Sequence, residues 1–446
     1  GPSNFEDLNI GMRLSLVGIG AELWMEDGYT TIRRVLPGPA ARSGQVKAGD
    51  RIIAVAQKGQ APVDVVDMPL PKVVELIRGP EGTPVRLTIL PVDAVDPAAR
   101  KTITLVREEI KLEDQEAKAE IIEFPIRQGR TLRMGVIDLP SFYEDMEALG
   151  FSDHKSSTSD VAKLLEKLKR EQIRGLILDL RQNGGGSLDE AIRLTGLFID
   201  RGPVVQVKDA EGRVQPYYNV DSSIAWKGPL VVLTSKFSAS ASEILAGAIQ
   251  DYGRGLIVGD HATHGKGTVQ NMMDLGQQLF RLPNAPLMGA LKITMQQFYR
   301  PNGESTQKRG VLADVELPSL TTHLDVGEAD LDYPVEFDKV DPLQYRHFEY
   351  VNPVVCDQLR RLSQARVQDS QGFQKAERDI ARYKQQKAKK SVTLNEAKFL
   401  KERAELNADK EEEKAIEKHS ELNDGKIDRD YYLDEAFSIA VDYMNL

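Results

Sequence analysis

Short and almost wholly apolar runs, alternating with amphipathic stretches, constrain the fold of this chain more than any other feature. The runs are residues 132–139, 175–180, 230–233 and 256–258. The amphipathic stretches are residues 161–170, 188–198 and 242–252. Runs this short and apolar are typical of parallel strands that are covered on both faces, and the stretches between them have helical periodicity. This βαβ rhythm predicts a layered α/β core over residues 108–320.

The regions on either side of this core differ from it. Residues 15–107 hold β-rich runs separated by glycine and proline turns, with one helical stretch at 70–77, and predict a small domain. The Gly1-Pro2 start is interpreted as a scar left by tag removal, so residues 1–14 are expected to be a linker and a signal peptide to be missing. Residues 364–422 are charged and nearly free of glycine and proline. Residues 321–446 are therefore expected to be a helical region that packs on the rest, with a coiled-coil arm as the alternative.

Composition excludes several classes of function. The net charge of −10 disfavours a nucleic-acid partner, which needs a basic surface. No run of about 18 apolar residues is present, so no membrane span is expected. The single cysteine excludes a disulfide within the chain, and the six histidines are scattered, so neither a metal site nor a cofactor is predicted.

A glycine-rich pattern in residues 15–107 points to peptide binding. Gly18-Ile19-Gly20-Ala21 opens the first β-rich run, and Gly49-Asp50-Arg51-Ile52-Ile53 follows a turn rich in small residues. By itself Gly18-x-Gly20 indicates only a tight turn. The whole pattern resembles PDZ domains, in which inward-pointing amides bind a terminal carboxylate and a strand edge accepts the peptide. The side chains expected to wall the pocket for the last residue are Val73, Val74 and Ile77.

Three stretches in the core carry residues suited to catalysis. They are Asn183-Gly184-Gly185-Gly186, Ser238-Ala239-Ser240-Ala241-Ser242-Glu243 and Gly265-Lys266-Gly267-Thr268-Val269-Gln270. The glycine run does not match a dinucleotide fingerprint, and the lysine stretch lacks two positions of a phosphate-binding loop. A serine hydroxyl needs a base, and a lysine amine can act as one only when burial lowers its pKa by roughly 2–3 from ~10.4.

Two other interpretations of these residues stay open. Ser242 with Glu243 can serve as an ordinary helix cap. Ser240 can instead form a triad with His264 or His261 and with Asp251, although Asp251 is expected to support the core.

Taken together, the three stretches resemble the C-terminal processing (tail-specific) serine proteases of the long periplasmic type. The resemblance implies a PDZ domain joined to a ClpP/crotonase-like layered α/β protease core, in an overall mixed α+β chain. It also implies the roles of five residues: Ser240 as nucleophile, Lys266 as general base, Gln270 as the group that orients Lys266, and Gly186 and Ala241 as oxyanion-hole amides. One extra residue in the segment 261–264 departs from the family pattern.

The resemblance also implies partners and location. It predicts a periplasmic endopeptidase that acts on proteins with exposed apolar C-termini, among them envelope and cell-wall enzymes, with an adaptor protein and self-association as further expectations. Ligand binding at the PDZ-like module is expected to be coupled to assembly of the active site. The alternatives are a binding scaffold without catalysis and an acyl-CoA enzyme of the crotonase type.

Overall fold

Two compact units make up the part of the chain that is described. A computed structural model describes residues 1–96, 98–126, 129–145, 154–280, 288–388, 395–396, 427 and 429–446. The first unit comprises Gly1–Gln115 with Met272–Leu291, and the second comprises Glu116–Asn271 with Lys292–Leu446.

The first unit contains the β-rich domain that the sequence predicts. Its strands are β1 (Ser15–Gly18), β2 (Ala21–Glu26), β3 (Tyr29–Val35), β4 (Arg51–Gln57), β5 (Val63–Asp64), β6 (Pro84–Leu90), β7 (Lys101–Val106) and β8 (Glu108–Lys111). Its helices before residue 115 are α1 (Pro2–Arg13), α2 (Pro39–Ser43) and α3 (Leu70–Ile77). The main sheet runs β2-β3-β4-β6-β7, so β2 lies at an edge. The first residues, expected to be a linker, instead form α1, which ends at Leu14 in a left-handed conformation.

The second unit alternates strands and helices. Its strands are β9 (Lys118–Pro125), β10 (Thr131–Asp138), β11 (Gly175–Asp179), β12 (Gly202–Lys208), β13 (Val214–Asn219), β14 (Leu230–Thr234), β15 (Leu256–Gly259), β16 (Thr268–Asp274), β17 (Ala290–Tyr299) and β18 (Val315–Glu316). Its helices are α4 (Ser157–Arg170), α5 (Leu188–Thr195), α6 (Ala241–Asp251), α8 (Pro353–Asp369), α9 (Gln371–Ala388) and α10 (Tyr431–Met444). The remaining helix, α7 (Leu275–Phe280), and parts of β16 and β17 belong to the 272–291 segment of the first unit.

A six-stranded sheet forms the centre of the second unit. Its order is β18-β15-β14-β11-β10-β9, and every pair is parallel except β9 with β10. All residues of β11 and β14 are buried, as their apolar sequences predict. The glycine, serine and lysine stretches follow β11, β14 and β15, which are neighbours in the sheet. Because parallel strands end at the same edge, these three loops meet there.

The C-terminal helices pack on this sheet and share its core. The buried cluster joins Val136, Ile177 and Val231 of the strands with Leu359 of α8 and Phe437 of α10. The expectation that residues 321–446 pack on the rest of the protein therefore applies to α8 and α10. Of the predicted helical segment 364–422, α8 and α9 account for the part up to 388; residues 389–394 and 397–422 lie outside the described residues. None of the described helices is both long and apolar enough to span a membrane.

Candidate active site

Ser240 lies at a sharp turn between β14 and α6. It immediately precedes the helix and has φ 57° and ψ −111°, a conformation that is unfavourable for a residue with a Cβ. Ser238 and Ser242 are fully buried, and their hydroxyls donate to the carbonyls of Leu180 (2.7 Å) and Asn183 (2.9 Å). Ser240 is only partly buried, and its hydroxyl donates to no acceptor in the described part of the structure. Among these three serines, it alone has a proton available for a base.

Lys266 lies in the loop between β15 and β16, and its amine points to Gln270. Its Nζ donates to Oε1 of Gln270 at 3.2 Å, and Nε2 of Gln270 is 3.5 Å from Oγ1 of Thr294. Burial lowers the pKa of Lys266 below its ordinary 10.5, and the neighbouring charge of Lys292 acts in the same direction. The structure therefore favours the neutral amine more than water does, as a general base requires.

Ser240 and Lys266 are near each other in the architecture but are not hydrogen-bonded. Oγ of Ser240 and Nζ of Lys266 form no hydrogen bond in the described part of the chain, where the amine donates to Gln270 instead. The hydrogen bond between a nucleophile and its base is often long or poorly aligned in the absence of substrate, and it shortens when substrate binds. The main chains on which the two residues lie are nevertheless joined through a third side chain.

That side chain is Glu243, a carboxylate that is fully buried in the first turn of α6. Its Oε2 accepts from the amides of Ser240 (2.8 Å) and Lys266 (2.9 Å). Its Oε1 accepts from the amide of Gly265 (2.7 Å) and the hydroxyl of Thr263 (2.6 Å). Burial raises the pKa of Glu243 to about 7, while the four hydrogen bonds act against that shift. The carboxylate form matches four donors, and it ties the serine turn to the lysine loop.

This role of Glu243 was not predicted from the sequence. The pattern there indicates Glu243 only as part of a cap with Ser242, whereas the residue that precedes the helix is Ser240. The spacing Ser240-x-x-Glu243 is that of a capping box, in which the glutamate side chain accepts from the amide of the capping residue. This signal could have located Glu243 beside Ser240, but not its bonds to residues 263–266.

The glycine-rich loop lies directly against the serine turn. A Cβ on Gly185 would be 2.9 Å from Cβ of Ser240, so only glycine fits there. Asn183 holds the two loops together: its Oδ1 accepts from the Gly185 amide (2.9 Å), and its carbonyl accepts from the Ala239 amide (3.1 Å). The amides of Gly186 and Ala241 have no acceptor among the described residues. Both amides are thus available to an oxyanion.

The histidine triad is not assembled. His261 is exposed and its Nδ1 is 3.0 Å from Glu316, while Nε2 of His264 is 3.7 Å from Glu328. Asp251 is buried and bound to Arg300 at 2.5 Å, which agrees with its expected supporting role. In the described structure, neither histidine is bonded to Ser240 or to this aspartate. No group of three or more His, Cys, Asp or Glu residues among those described could hold a metal ion.

The predicted peptide-binding residues fall into two groups. Gly18, Ile19, Gly20 and Ala21 lie at the junction of β1 and β2, where Gly20 has φ 78°; the amides of Ile19 and Gly20 have no acceptor among the described residues. On α3 the expectation needs correction. Val73 and Ile77 point into the core of the domain, at 0% and 4% exposure, so they offer no surface to a peptide; Val74 is partly exposed.

Comparisons with known proteins agree with this architecture. Residues 133–317 match the model of Peptidase family S41, residues 7–90 match that of the PDZ domain, and residues 321–445 match the C-terminal domain of tail specific protease. Residues 133–317 of the chain are therefore a region of the Peptidase family S41 type. The resemblance to C-terminal processing proteases and the predicted fold class, a PDZ domain with an α/β protease core, are thereby confirmed.

Several known proteins are similar to this chain. The chain is 42% identical over 352 residues to a tail-specific protease of Haemophilus influenzae, covering 79% of this chain and 48% of that protein. It is 32% identical over 322 residues to a carboxy-terminal-processing protease of Bartonella bacilliformis, covering 70% and 65%. It is also 51% identical to the PDZ domain of a Vibrio cholerae carboxy-terminal protease solved with a peptide, covering 22% and 100% with a TM-score of 0.21. The chain thus spans about half the length of the Haemophilus protein.

Proposed function

We propose that this chain is a serine endopeptidase in which Ser240 is the nucleophile and Lys266 the general base. One observation carries the proposal: Ser240, with a hydroxyl that donates to no acceptor among the described residues, is tied by the Glu243 carboxylate to the loop that bears the partly buried Lys266. A scaffold that only binds would not need a strained serine and a lysine with a lowered pKa at one sheet edge.

The mechanism follows from ordinary acyl-transfer chemistry. The neutral amine of Lys266 takes the proton of Ser240 Oγ as that oxygen bonds to the carbonyl carbon of the substrate. The resulting oxyanion accepts from the amides of Gly186 and Ala241, each worth a few kcal/mol in such sites. The lysine ammonium then protonates the leaving amine, and an ester on Ser240 remains. Lys266 next takes a proton from water, whose oxygen bonds to the acyl carbon; as the ester bond breaks, the lysine ammonium returns a proton to Ser240 Oγ and the acid product leaves, while Gln270 holds the amine in position.

The proposal extends to substrate selection. The free amides at Ile19 and Gly20 suit the terminal carboxylate of a protein, and the edge strand β2 suits an extended peptide. We therefore propose capture of apolar, disordered C-termini, with periplasmic envelope and cell-wall proteins as the substrate class. An adaptor protein and self-association belong to the same proposal.

An unstructured peptide that ends in apolar residues tests the catalytic assignment. Ser240→Ala and Lys266→Ala should each lower kcat/KM by about 1,000-fold or more, because the attack loses its nucleophile or its base. Lys208→Ala is the matched control, since Lys208 is also partly buried but pairs with Asp338. A fluorophosphonate should label the wild type at Ser240 alone.

Two results would contradict the assignment. Full cleavage by Lys266→Ala together with its loss in His264→Ala would move the base to the histidine. Cleavage of no peptide by the wild type, with tight peptide binding retained, would favour the scaffold.

A further inference from the structure

The lysine loop has a second support in addition to Glu243. The amide of Gly267, next to the lysine, donates to Oε1 of Gln307 at 2.8 Å. Nε2 of Gln307 in turn donates to Oε1 of Glu328 at 2.9 Å. The amide of Glu328 donates to the carbonyl of His264 at 3.0 Å, which closes the connection on the other side of Lys266. Glu328 and Gln307 are thus hydrogen-bonded to the loop at His264 and Gly267, before and after the catalytic lysine in the sequence.

Burial makes this connection specific. Gln307 is 0% and Glu328 8% exposed, so neither group can exchange its partner for water. The amide of Gln307 has one orientation that suits both neighbours: its oxygen must face the Gly267 N–H, and its nitrogen must face the carboxylate. A hydrogen bond to a charged acceptor is stronger than one between neutral groups, so Glu328 fixes the amide more firmly than a neutral residue would.

The backbone around Gly267 is packed too closely to adjust by itself. A Cβ on Gly267 would be 2.7 Å from Oγ of Ser305 and 2.8 Å from the amide nitrogen of Gln307. The carbonyl of Gly267 accepts from the Phe298 amide at 2.9 Å. The hydrogen bond from the Gly267 amide to Gln307 is therefore one of the contacts that fix the main chain next to the lysine.

We propose that Glu328 is a positioning residue for Lys266 and acts through Gln307. The inference rests on the proposed function, because it assumes that Lys266 is the base. Glu328 belongs to residues 321–445, which match the C-terminal domain of tail specific protease, whereas Gln307 belongs to the peptidase region 133–317. The C-terminal region thus supplies part of the support of the active site, in addition to its helices on the sheet.

Charge gives Glu328 a second, separable effect. Its carboxylate favours the ammonium form of Lys266 and so raises the pKa of that lysine, as Glu243 does, whereas burial and Lys292 lower it. Among the described residues, the charged or titratable groups around Glu328 include Lys266 and His264, and Lys236 and Asp330 lie beside the preceding Gly327. Glu328→Gln keeps an oxygen for Gln307 and removes the charge; Glu328→Ala removes both.

A double-mutant cycle on the full chain tests the proposal with the same unstructured peptide. Glu328→Ala and Gln307→Ala should each lower kcat by roughly 10- to 100-fold, with KM changed by less than about 3-fold, because a buried partner is left unpaired. The double variant, which carries both substitutions, should lose no more kcat than the more impaired single variant, because both substitutions break the same connection. Glu336→Ala is the matched control, since this glutamate of the same region is exposed and pairs with Lys308.

A pH profile separates positioning from a merely structural role. For Glu328→Gln, the kcat plateau should stay within about 3-fold of wild type, and the acid limb should move to lower pH, because the lysine loses a nearby negative charge. The rate of Ser240 labelling by a fluorophosphonate gives the same profile without turnover, and circular dichroism checks folding. If Glu328→Ala does not fold, the pH profile of Glu328→Gln still tests the proposal.

The outcomes are distinguishable from failure of the proposed function. Unchanged kcat in Glu328→Ala, multiplicative losses in the double variant, or an acid limb that does not move in Glu328→Gln would each overturn the positioning role while Lys266→Ala stays inactive. Activity in Lys266→Ala would instead overturn the assignment of the base.

Discussion

Opposing charges around one amine set the chemistry of Lys266. Burial, the largest effect, and Lys292 push its pKa down, while Glu328 and Glu243 push it up. Both carboxylates also accept hydrogen bonds: Glu243 accepts from the lysine loop itself, and Glu328 accepts from Gln307, which in turn accepts from the loop. Their negative charges oppose the lowering of the Lys266 pKa, and burial outweighs them.

Glu243→Gln should separate geometry from charge at the serine turn. Its side-chain NH2 would face N–H donors, so the link between Ser240 and Lys266 weakens and the kcat plateau should fall by roughly 10-fold or more. Loss of the negative charge lowers the pKa of Lys266, so the acid limb of the kcat/KM profile should move to lower pH. Peptide hydrolysis from pH 5 to 10 measures both effects.

Glu190→Gln is the control for Glu243. Glu190 is equally buried, accepts from the hydroxyl of Ser157 and the amide of Thr158, and is not among the charges that act on Lys266. The acid limb of the kcat/KM profile of Glu190→Gln should stay at the pH of the wild type. An unshifted limb in Glu243→Gln would show that its charge does not reach the amine.

At the scale of elements, the order of strands explains why three distant stretches meet. β11, β14 and β15 are consecutive, parallel and fully buried, so the loops that follow them emerge side by side. The first loop is glycine-rich because Gly185 lies against Ser240, and the second ends at the start of α6. The meeting of the three stretches is therefore a consequence of sheet topology.

The loop between β1 and β2 should determine peptide affinity in the first unit. Gly20 has φ 78° and a free amide, so Gly20→Ala should distort the carboxylate site and weaken binding of an apolar-ended peptide by at least about 10-fold. Amidation of the peptide C-terminus should have a similar effect. Fluorescence anisotropy with the Ser240→Ala protein measures binding without cleavage.

Gly59→Ala is the matched control for that loop. Gly59 has φ 75°, and a Cβ there would meet nothing within 4 Å, so the strain is similar but lies on an open turn. Its affinity should equal that of the parent protein. Equal binding of free and amidated peptides would remove the carboxylate from the recognition mechanism.

For the molecule as a whole, the C-terminal helices belong to the core of the second unit. Phe437 of α10 is 0% exposed, and its ring lies 5.6 Å from that of Phe124 on β9. Phe437→Ala should lower the free energy of unfolding by about 3–5 kcal/mol, because a large cavity opens against the sheet. Chemical denaturation followed by tryptophan fluorescence measures the loss.

Val354→Ala on α8 provides the comparison, since this side chain is 75% exposed. It should change the unfolding free energy by less than about 0.5 kcal/mol. A loss below about 1 kcal/mol for Phe437→Ala would mean that α10 contributes little to the stability of the sheet.

The local pattern of residues was sufficient to predict much of this protein. Short apolar runs predicted β11, β14 and β15 within a residue or two, because a strand buried on both faces must be apolar throughout. Residue chemistry with the family resemblance singled out Ser240, Lys266 and Gln270. The α3 pocket was predicted less well: helical spacing does not distinguish a face toward the core, as at Val73, from one toward a ligand.

Only the tertiary structure identified the groups that hold the site together. Glu243 is hydrogen-bonded to Thr263, and Gly267 is connected to Glu328 through Gln307. These residues are far apart in the sequence, and hydrophobic periodicity does not predict such contacts. These contacts depend on which strands are neighbours and how far each loop extends, so they are set by sheet order and register. The sequence by itself determined the strand pattern and supplied the residues that are proposed for the chemistry. Packing decided which hydroxyl keeps its proton available and which carboxylates face the lysine loop, because burial and pairing arise only when distant segments meet.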